Sequence, residues 1–226
     1  MVNTDIHYHL PIVVFDLDDT LYKERDFVRS AFNAIERHTS IPNVAQAMWE
    51  TFLLGGNPMD KALSMSSVIP YEISDLLNIY RFHKPVLTLP DDSRSTLGIL
   101  KEQGIRMFII TDGRSISQRN KIKALGLDEY FPPENIFISE ETGNDKTSPE
   151  SFRTIVRKYP EAREFIYIGD NPAKDFQRPN LMGWRTIMIR DIGGVNIHPQ
   201  NTVCASLHRA SHVIDSISEI LPLILK

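Results

Sequence analysis

Ile12-Val13-Val14-Phe15-Asp16-Leu17-Asp18-Asp19-Thr20 is the stretch on which the reading of this chain turns. Four apolar residues with no polar residue between them predict a strand buried on both faces, as strands of parallel sheets are. The run ends in carboxylates, and in an open α/β sheet ligands gather at the carboxyl ends of the strands. Alternation along the strand sends Asp16 and Asp18 to the same side. Two ionised carboxylates about 4 Å apart repel by roughly 4 kcal/mol at an effective dielectric near 20. The pair therefore calls for a cation, a shared proton or full solvation. A solvated turn rich in helix-capping Asp and Thr is the blander alternative.

Strand-like runs recur at 107–110, 135–138, 165–168 and 185–189, with helical stretches between them. One helix over 91–103 carries Leu97 and Leu100 and is followed by Gly104; another over 115–125 carries Ile116, Ile122 and Leu125 and is closed by Gly126. Both glycines stand where a helix C-cap favours one. Ser148-Pro149 reads as an N-cap followed by proline at the first helical position, opening a helix with Phe152, Ile155 and Val156 on one face. Strands alternating with helices predict an α/β fold with a parallel sheet and right-handed crossovers. The tail predicts a short strand at 212–214 and a closing helix with Ile217, Ile220 and Leu221, after a loop over 193–205.

Residues 22–83 break this rhythm. They offer helical patterns (Phe27, Ala31, Ile35; Val44, Ala47, Met48, Phe52; Ile73, Leu76, Leu77, Tyr80), punctuated by Gly55-Gly56-Asn57-Pro58 and Ile69-Pro70. So much helix after a first strand exceeds an ordinary crossover. The expected organisation is a core domain from 1–21 and 84–226 with a helical domain inserted over 22–83; an elaborated outer layer is the alternative.

Composition narrows the function. The chain has 226 residues, 25 Lys and Arg against 29 Asp and Glu, a formal net charge of −4 and one cysteine, Cys204. A mildly acidic chain has no global electrostatic case for nucleic acid or an anionic membrane. A single cysteine cannot form an internal disulfide, which suits a reducing compartment. The first ten residues carry no Lys or Arg and no long apolar run, and no apolar run approaches a bilayer span. A cytoplasmic protein with no nucleic-acid or membrane partner is expected; its oligomeric state is unreadable. His7 and His9 flank Tyr8 at strand spacing, and such a pair without nearby carboxylates reads as surface.

Three further strand ends carry chemistry. Thr111-Asp112-Gly113 offers a hydroxyl, backbone N–H groups and a glycine before a helix N-terminus, the makings of a phosphate cradle, though taken alone the stretch reads sooner as an ordinary turn. Lys146 stands just ahead of a helix. Gly169-Asp170 at the end of the fourth strand is followed by Asp175, and an oxygen-rich acidic cluster suits Mg²⁺ better than zinc.

Paired aspartates, Thr-Asp-Gly, a lysine and Gly-Asp with a later Asp, in that order, resemble the motifs of the haloacid dehalogenase superfamily, and nearest its capped phosphatases of nucleotides and sugar phosphates. The resemblance spans essentially the whole chain and implies a Rossmann-like core with an α-helical cap inserted after the first motif. It implies a Mg²⁺-dependent hydrolase of a small phosphorylated metabolite, a sugar phosphate or nucleoside monophosphate. Asp16 would attack phosphorus to form an aspartyl-phosphate, and Asp18 would serve as acid and then base. Mg²⁺ would be held by the carboxylates of Asp16 and Asp170 and the backbone carbonyl of Asp18, with Asp175 behind them or bound through water. Thr111 and the N–H groups of Asp112 and Gly113 would hold phosphate oxygens, Lys146 would neutralise nucleophile and phosphoryl group, and Thr20 would brace the turn. Asp112 stands where many relatives carry Asn, and Thr147 where Pro is frequent; neither removes a reacting group.

Other readings remain beside this one. A phosphomutase shares the motifs and differs in how the cap excludes water. A dehalogenase would leave Asp18 and Asp170 without purpose. Phosphonate cleavage would need a cap lysine such as Lys23 or Lys61. A non-catalytic regulatory relative would be expected to lack Asp16, Asp18 or Lys146, and a receiver-like domain lacks so large an insertion. Tyr22, Lys23, Arg25 and Arg114 are candidates to touch substrate, and Trp49 reads as cap core.

Overall fold

In the computed structural model, residues 10–66, 71–201 and 205–225 are described. His7, His9, Cys204 and the Ile69-Pro70 punctuation lie outside them.

The sheet has six parallel strands in the order β3-β2-β1-β4-β5-β6. They are β1 (Ile12–Phe15), β2 (Arg106–Thr111), β3 (Ile136–Ile138), β4 (Phe165–Gly169), β5 (Arg185–Ile189) and β6 (His212–Ile214). Between β1 and β2 come α1 (Glu24–Thr39), α2 (Val44–Leu53), α3 (Pro58–Met65), α4 (Ile73–Phe82) and α5 (Asp91–Glu102). After β2 comes α6 (Ser115–Ala124), after β3 come α7 (Ser139–Thr142) and α8 (Glu150–Lys158), after β4 comes α9 (Gln177–Leu181), and α10 (Leu221–Ile224) ends the described chain. This is the Rossmann-like α/β arrangement that the alternation of strands and helices predicts. None of the described helices is long and apolar enough to cross a membrane.

All four residues of β1 are buried because both sheet faces are covered. Val13 and Phe15 join a core with Leu97 and Leu100 of α5, Ile122 of α6 and Ile217, Ile220 and Ile224 near the end of the chain. Ile12 and Val14 face the opposite core, with Phe152 and Ile155 of α8, Tyr167 and Trp184. Phe15 pairs with Ile109 on one side and Ile168 on the other. That register sets Asp16, Thr111 and Asp170 along one edge.

Helices α1 to α4 have a core of their own, in which Val28, Phe32 and Ile35 meet Val44, Met48, Ala62 and Leu76. Phe27 packs instead into the sheet-side core. The amide of Asn120 and the hydroxyl of Ser117, both on α6, donate to the carbonyls of His83 and Arg81 at 3.1 and 3.2 Å.

Several local expectations shift. Gly104 and Gly126 end α5 and α6 with φ of 72° and 67°, as C-capping glycines do. Helix α8 opens at Glu150, one residue later than expected, because the Ser148 hydroxyl donates to Asn144 at 2.9 Å and reaches the Glu150 N–H only at 3.4 Å. The punctuation at Asn57-Pro58 starts a helix that periodicity did not reveal: the Asn57 side chain accepts the Met59 N–H at 3.0 Å, with proline in the first turn. Ile73, at the first position of α4 and ahead of the turn that buries Leu76, is 44% exposed. The closing helix forms as a 3-10 turn over Ile217–Ile220 running into α10.

Candidate active site

A cleft of about 110 Å³ at the carboxyl edge of the sheet is lined by Asp16, Asp18, Thr111, Asp112, Lys146 and Asp170, together with Asp19, Glu24, Asn171, Lys174 and His198. Of the residues singled out from the sequence, Asp16, Asp18, Thr111, Asp112, Lys146 and Asp170 line it, while Gly113, Asp175, Tyr22, Lys23, Arg25 and Arg114 do not. The Lys146 ammonium lies 2.6 Å from Asp16 and 2.8 Å from Asp175. Ligand oxygens of Asp16, Asp170 and Asp175 all fall within 4.8 Å of one another.

Asp175 is enclosed. One of its oxygens accepts the N–H groups of Asp170 and Asn171 at 3.1 and 2.8 Å; the other accepts Lys146 and, at 3.3 Å, the Tyr167 hydroxyl. With both oxygens so committed it braces the loop and the lysine, which leaves Asp16 and Asp170 as the carboxylates turned to the cleft. Gly169 earns its place by proximity: a Cβ there would overlap the Asp175 carboxylate. Gly169→Ala is expected to cost about 1–3 kcal/mol, as overpacking does, and to displace Asp175 from Lys146. Thermal melts beside turnover measure both effects; a variant matching wild type in each would show that the contact is soft.

Electrostatics mark the cleft as incomplete. Burial, reinforced by Asp175 and Asp18 and opposed by Lys146, pushes the Asp16 carboxyl up to about 8. Burial and the fields of Asp16, Asp175 and Asp19 push Asp170 up to about 9. Lys146 alone does not neutralise Asp16, Asp170 and Asp175, and an all-oxygen donor set fits a hard divalent cation. Asp16 and Asp170 are the residues placed to hold it. Burial acts against the charged form of Lys146 too, but Asp16 and Asp175 hold it well above the ordinary lysine value.

The phosphate-cradle residues are partly engaged. Thr111 Oγ1 accepts Gln118 Nε2 at 2.6 Å. The Gly113 N–H donates to Ser139 Oγ at 2.9 Å, and Asp112 accepts the Lys146 N–H at 3.0 Å. Gly113 has φ +147°, a value costly for a side-chain-bearing residue. Among the candidates to touch substrate, Tyr22 donates to Asp18 at 2.6 Å and Lys23 to Asn196 at 2.7 Å. Arg25 lies over Trp49, and Arg114 pairs with Glu140 at 3.6 Å. The Thr20 hydroxyl is buried without a hydrogen-bond partner, so it does not brace the turn through that group. Asp19 does so instead: at φ 55°, it accepts the N–H groups of Glu24 and Ile197 at 3.0 and 2.9 Å.

Sequence reading missed the residues that reach the site from elsewhere. Asn196 donates to Asp170 at 2.8 Å and Gln200 to the Asp170 carbonyl at 2.9 Å, both from a stretch read only as loop. Gln118 and Lys121 reach Asp18 from α6. Neither had a signal in the sequence, because a glutamine and a lysine on a largely polar helix read as solvated.

The profile of the haloacid dehalogenase-like hydrolases matches residues 10–177. A glyceraldehyde 3-phosphate phosphatase of Methanopyrus kandleri is 26% identical over 215 residues, covering 84% of this chain and 88% of that protein. A ribulose-1,5-bisphosphate 5-phosphatase of Halopiger xanaduensis is 28% identical over 139 residues, covering 61% and 57%. Among solved structures, the HAD-hydrolase YfnB of Bacillus subtilis, determined with magnesium bound, superposes with a TM-score of 0.66 at 20% identity, covering 96% of this chain and all of that one. With its sheet order, acidic strand ends and family profile in agreement, the chain belongs to the haloacid dehalogenase-like hydrolases.

Proposed function

We propose that the protein is a Mg²⁺-dependent phosphomonoester hydrolase that works through an aspartyl-phosphate on Asp16. The observation that carries this reading is the Lys146 ammonium 2.6 Å from Asp16, beside a second cleft-facing carboxylate that lacks a matching cation. A carboxylate so paired is aimed into the cleft and, once a cation ionises it, shielded from the repulsion of an incoming dianion. Asp16, Asp170 and the Asp18 carbonyl would hold Mg²⁺, which would supply the positive charge that the phosphate and the carboxylates together demand.

In the first half-reaction an Asp16 oxygen attacks phosphorus, the bond to the leaving oxygen breaks, and the Asp18 carboxyl delivers a proton to that oxygen. In the second, Asp18 takes a proton from the water that attacks the aspartyl-phosphate, and inorganic phosphate departs. Lys146 remains charged throughout. Thr111 and the turn after it hold the phosphate oxygens.

The cleft is well below the roughly 300–1,000 Å³ of pockets that enclose a drug-sized ligand. It suits a phosphoryl group, so the rest of the substrate lies toward α1 to α4, which act as a cap that opens for entry and excludes water on closing. The named relatives act on small sugar-type phosphates, and a metabolite of that class in the cytoplasm is the substrate proposed here. Release of inorganic phosphate from a panel of phosphorylated metabolites and p-nitrophenyl phosphate, with Mg²⁺ or with EDTA, tests the reading. Turnover undiminished by EDTA, or none from folded protein with Mg²⁺, overturns it.

Metal and pH are linked. Without metal, Asp16 and Asp170 keep their protons to about pH 8 and about pH 9, whereas in the unfolded chain they lose them near the ordinary 3.8. Across that window the folded state binds more protons, so these groups lower stability as pH rises. A cation needs both ionised and binds more tightly as pH rises. At a concentration a hundred-fold above its Kd at pH 8.5, Mg²⁺ is expected to raise the melting temperature there by roughly 5–10 °C, and by less at the same concentration at pH 6. A gain that is flat or shrinks with pH would contradict the assignment of these two carboxylates.

A further inference from the structure

We infer that Lys121 and Gln118 of α6 are positioning residues that orient the Asp18 carboxyl for its proton transfer. The inference rests on the role given to Asp18 above. Gln118 and Lys121 are three residues apart and share a helix face. Both are turned inward, 2% and 3% exposed. The Lys121 ammonium contacts both oxygens of Asp18, at 2.8 and 2.9 Å. It also stands 3.7 Å from Glu24 at the start of α1 and 4.4 Å above the Phe27 ring. Gln118 Nε2 donates to Asp18 at 2.9 Å and to Thr111 at 2.6 Å. With the Tyr22 hydroxyl at 2.6 Å, three side chains fix the carboxyl group in position and rotation.

This arrangement does more than satisfy a buried acid. Gln118 spans from the group that would hand over the proton to the hydroxyl that would hold the phosphate, so the two are set relative to each other by one rigid helix. A proton donor displaced by about 1 Å loses much of its value at the reacting atom. Ringed by donors, Asp18 is held here as the carboxylate left once its proton has passed to the leaving oxygen and the phosphorus–oxygen bond has broken; it regains that proton from the attacking water, and Lys121 gives up none.

The test compares leaving groups. p-Nitrophenolate departs with little need of a proton, phenolate with more, so the ratio of kcat on p-nitrophenyl phosphate to kcat on phenyl phosphate reports on acid catalysis. In Lys121→Met, kcat on phenyl phosphate is expected to fall about ten-fold or more beyond its fall on p-nitrophenyl phosphate, with KM changing similarly for both. Lys121→Arg restores part of that difference. Asp18→Asn is the reference, and adding Lys121→Met to it produces no further selectivity.

If Asp18→Asn discriminates between the substrates while Lys121→Met slows both equally, the positioning role is wrong and the Asp18 reading stands. Should Asp18→Asn itself fail to discriminate, the Asp18 reading fails. Melting curves report whether each variant is folded. Where Lys121→Met is not, because Asp18 and Glu24 lose their cation, Gln118→Met removes no charge and must show the same selectivity, or the inference falls.

Discussion

Asp16→Asn is expected to abolish turnover, by about 10⁴-fold or more, while leaving the metal-free protein at least as stable as wild type. The amide nitrogen and the carbonyl oxygen of Asn are both poor nucleophiles toward phosphorus, so the loss falls on the bond-forming step itself. Stability moves the other way because Asp16 is a buried acid whose surroundings push its carboxyl up to about 8. Its charge is costly to the fold until a cation or a substrate arrives. Lys146 keeps Asp175 at 2.8 Å when Asp16 is neutralised, so no buried ammonium is stranded. Loss of activity together with equal or higher melting temperature in EDTA is the signature of a residue retained for chemistry at the expense of stability. Residual phosphatase activity within ten-fold of wild type would remove Asp16 from the role of nucleophile.

That trade-off is part of why so much of the site can be read from sequence. Burying Asp16, Asp170 and Asp175 together makes no sense for folding alone, and Asp16 and Asp170 each follow a strand whose direction is clear. The strands are legible for a related reason: β1, β2 and β4 are covered on both faces and so carry largely apolar runs. The sheet order is less legible, since alternation gives crossovers without saying which strands become neighbours. The residues that set the site's geometry are the least legible. Asn196 and Gln200 lie in a segment with no periodicity, and their bonds to Asp170 exist only because the chain after β5 doubles back over the cleft. Lys121 looks like any helix lysine until α6 is rotated against Asp18. The Ser139 hydroxyl, which takes the Gly113 N–H, sits across a strand crossover from it. Motif residues declare themselves by local type, whereas their supports depend on long-range packing.

Lys146→Met is expected to damage fold and function together, in contrast to Asp16→Asn. The ammonium is the cation shared by Asp16 and Asp175, at 2.6 and 2.8 Å, and Asp175 has no exposed surface through which water could compensate. Breaking a buried ion pair from one side costs about 3–5 kcal/mol because the partner charge is left uncompensated. For a chain of this size that is a drop in melting temperature of roughly 6–20 °C. Turnover falls by about 10²–10³-fold or more, the scale on which one preorganised electrostatic contact to a reacting group acts. The deficit has a pH signature. Without its ammonium, Asp16 is driven further above the value of about 8 that it has beside Lys146. Wild type already keeps the Asp16 proton to about 8, so the variant's stability relative to wild type declines from about pH 8 upward, where wild-type Asp16 ionises and the variant's does not. Melts at pH 7 and pH 9.5 measure this directly. Lys146→Arg does not rescue it, since a planar guanidinium cannot occupy the volume of a compact ammonium between two fixed carboxylates. A Lys146→Met protein that melts with wild type at pH 8 would show that Asp16 and Asp175 never needed their shared cation. The charge argument for this site would then have to be rebuilt around Lys174, whose ammonium also borders the cleft.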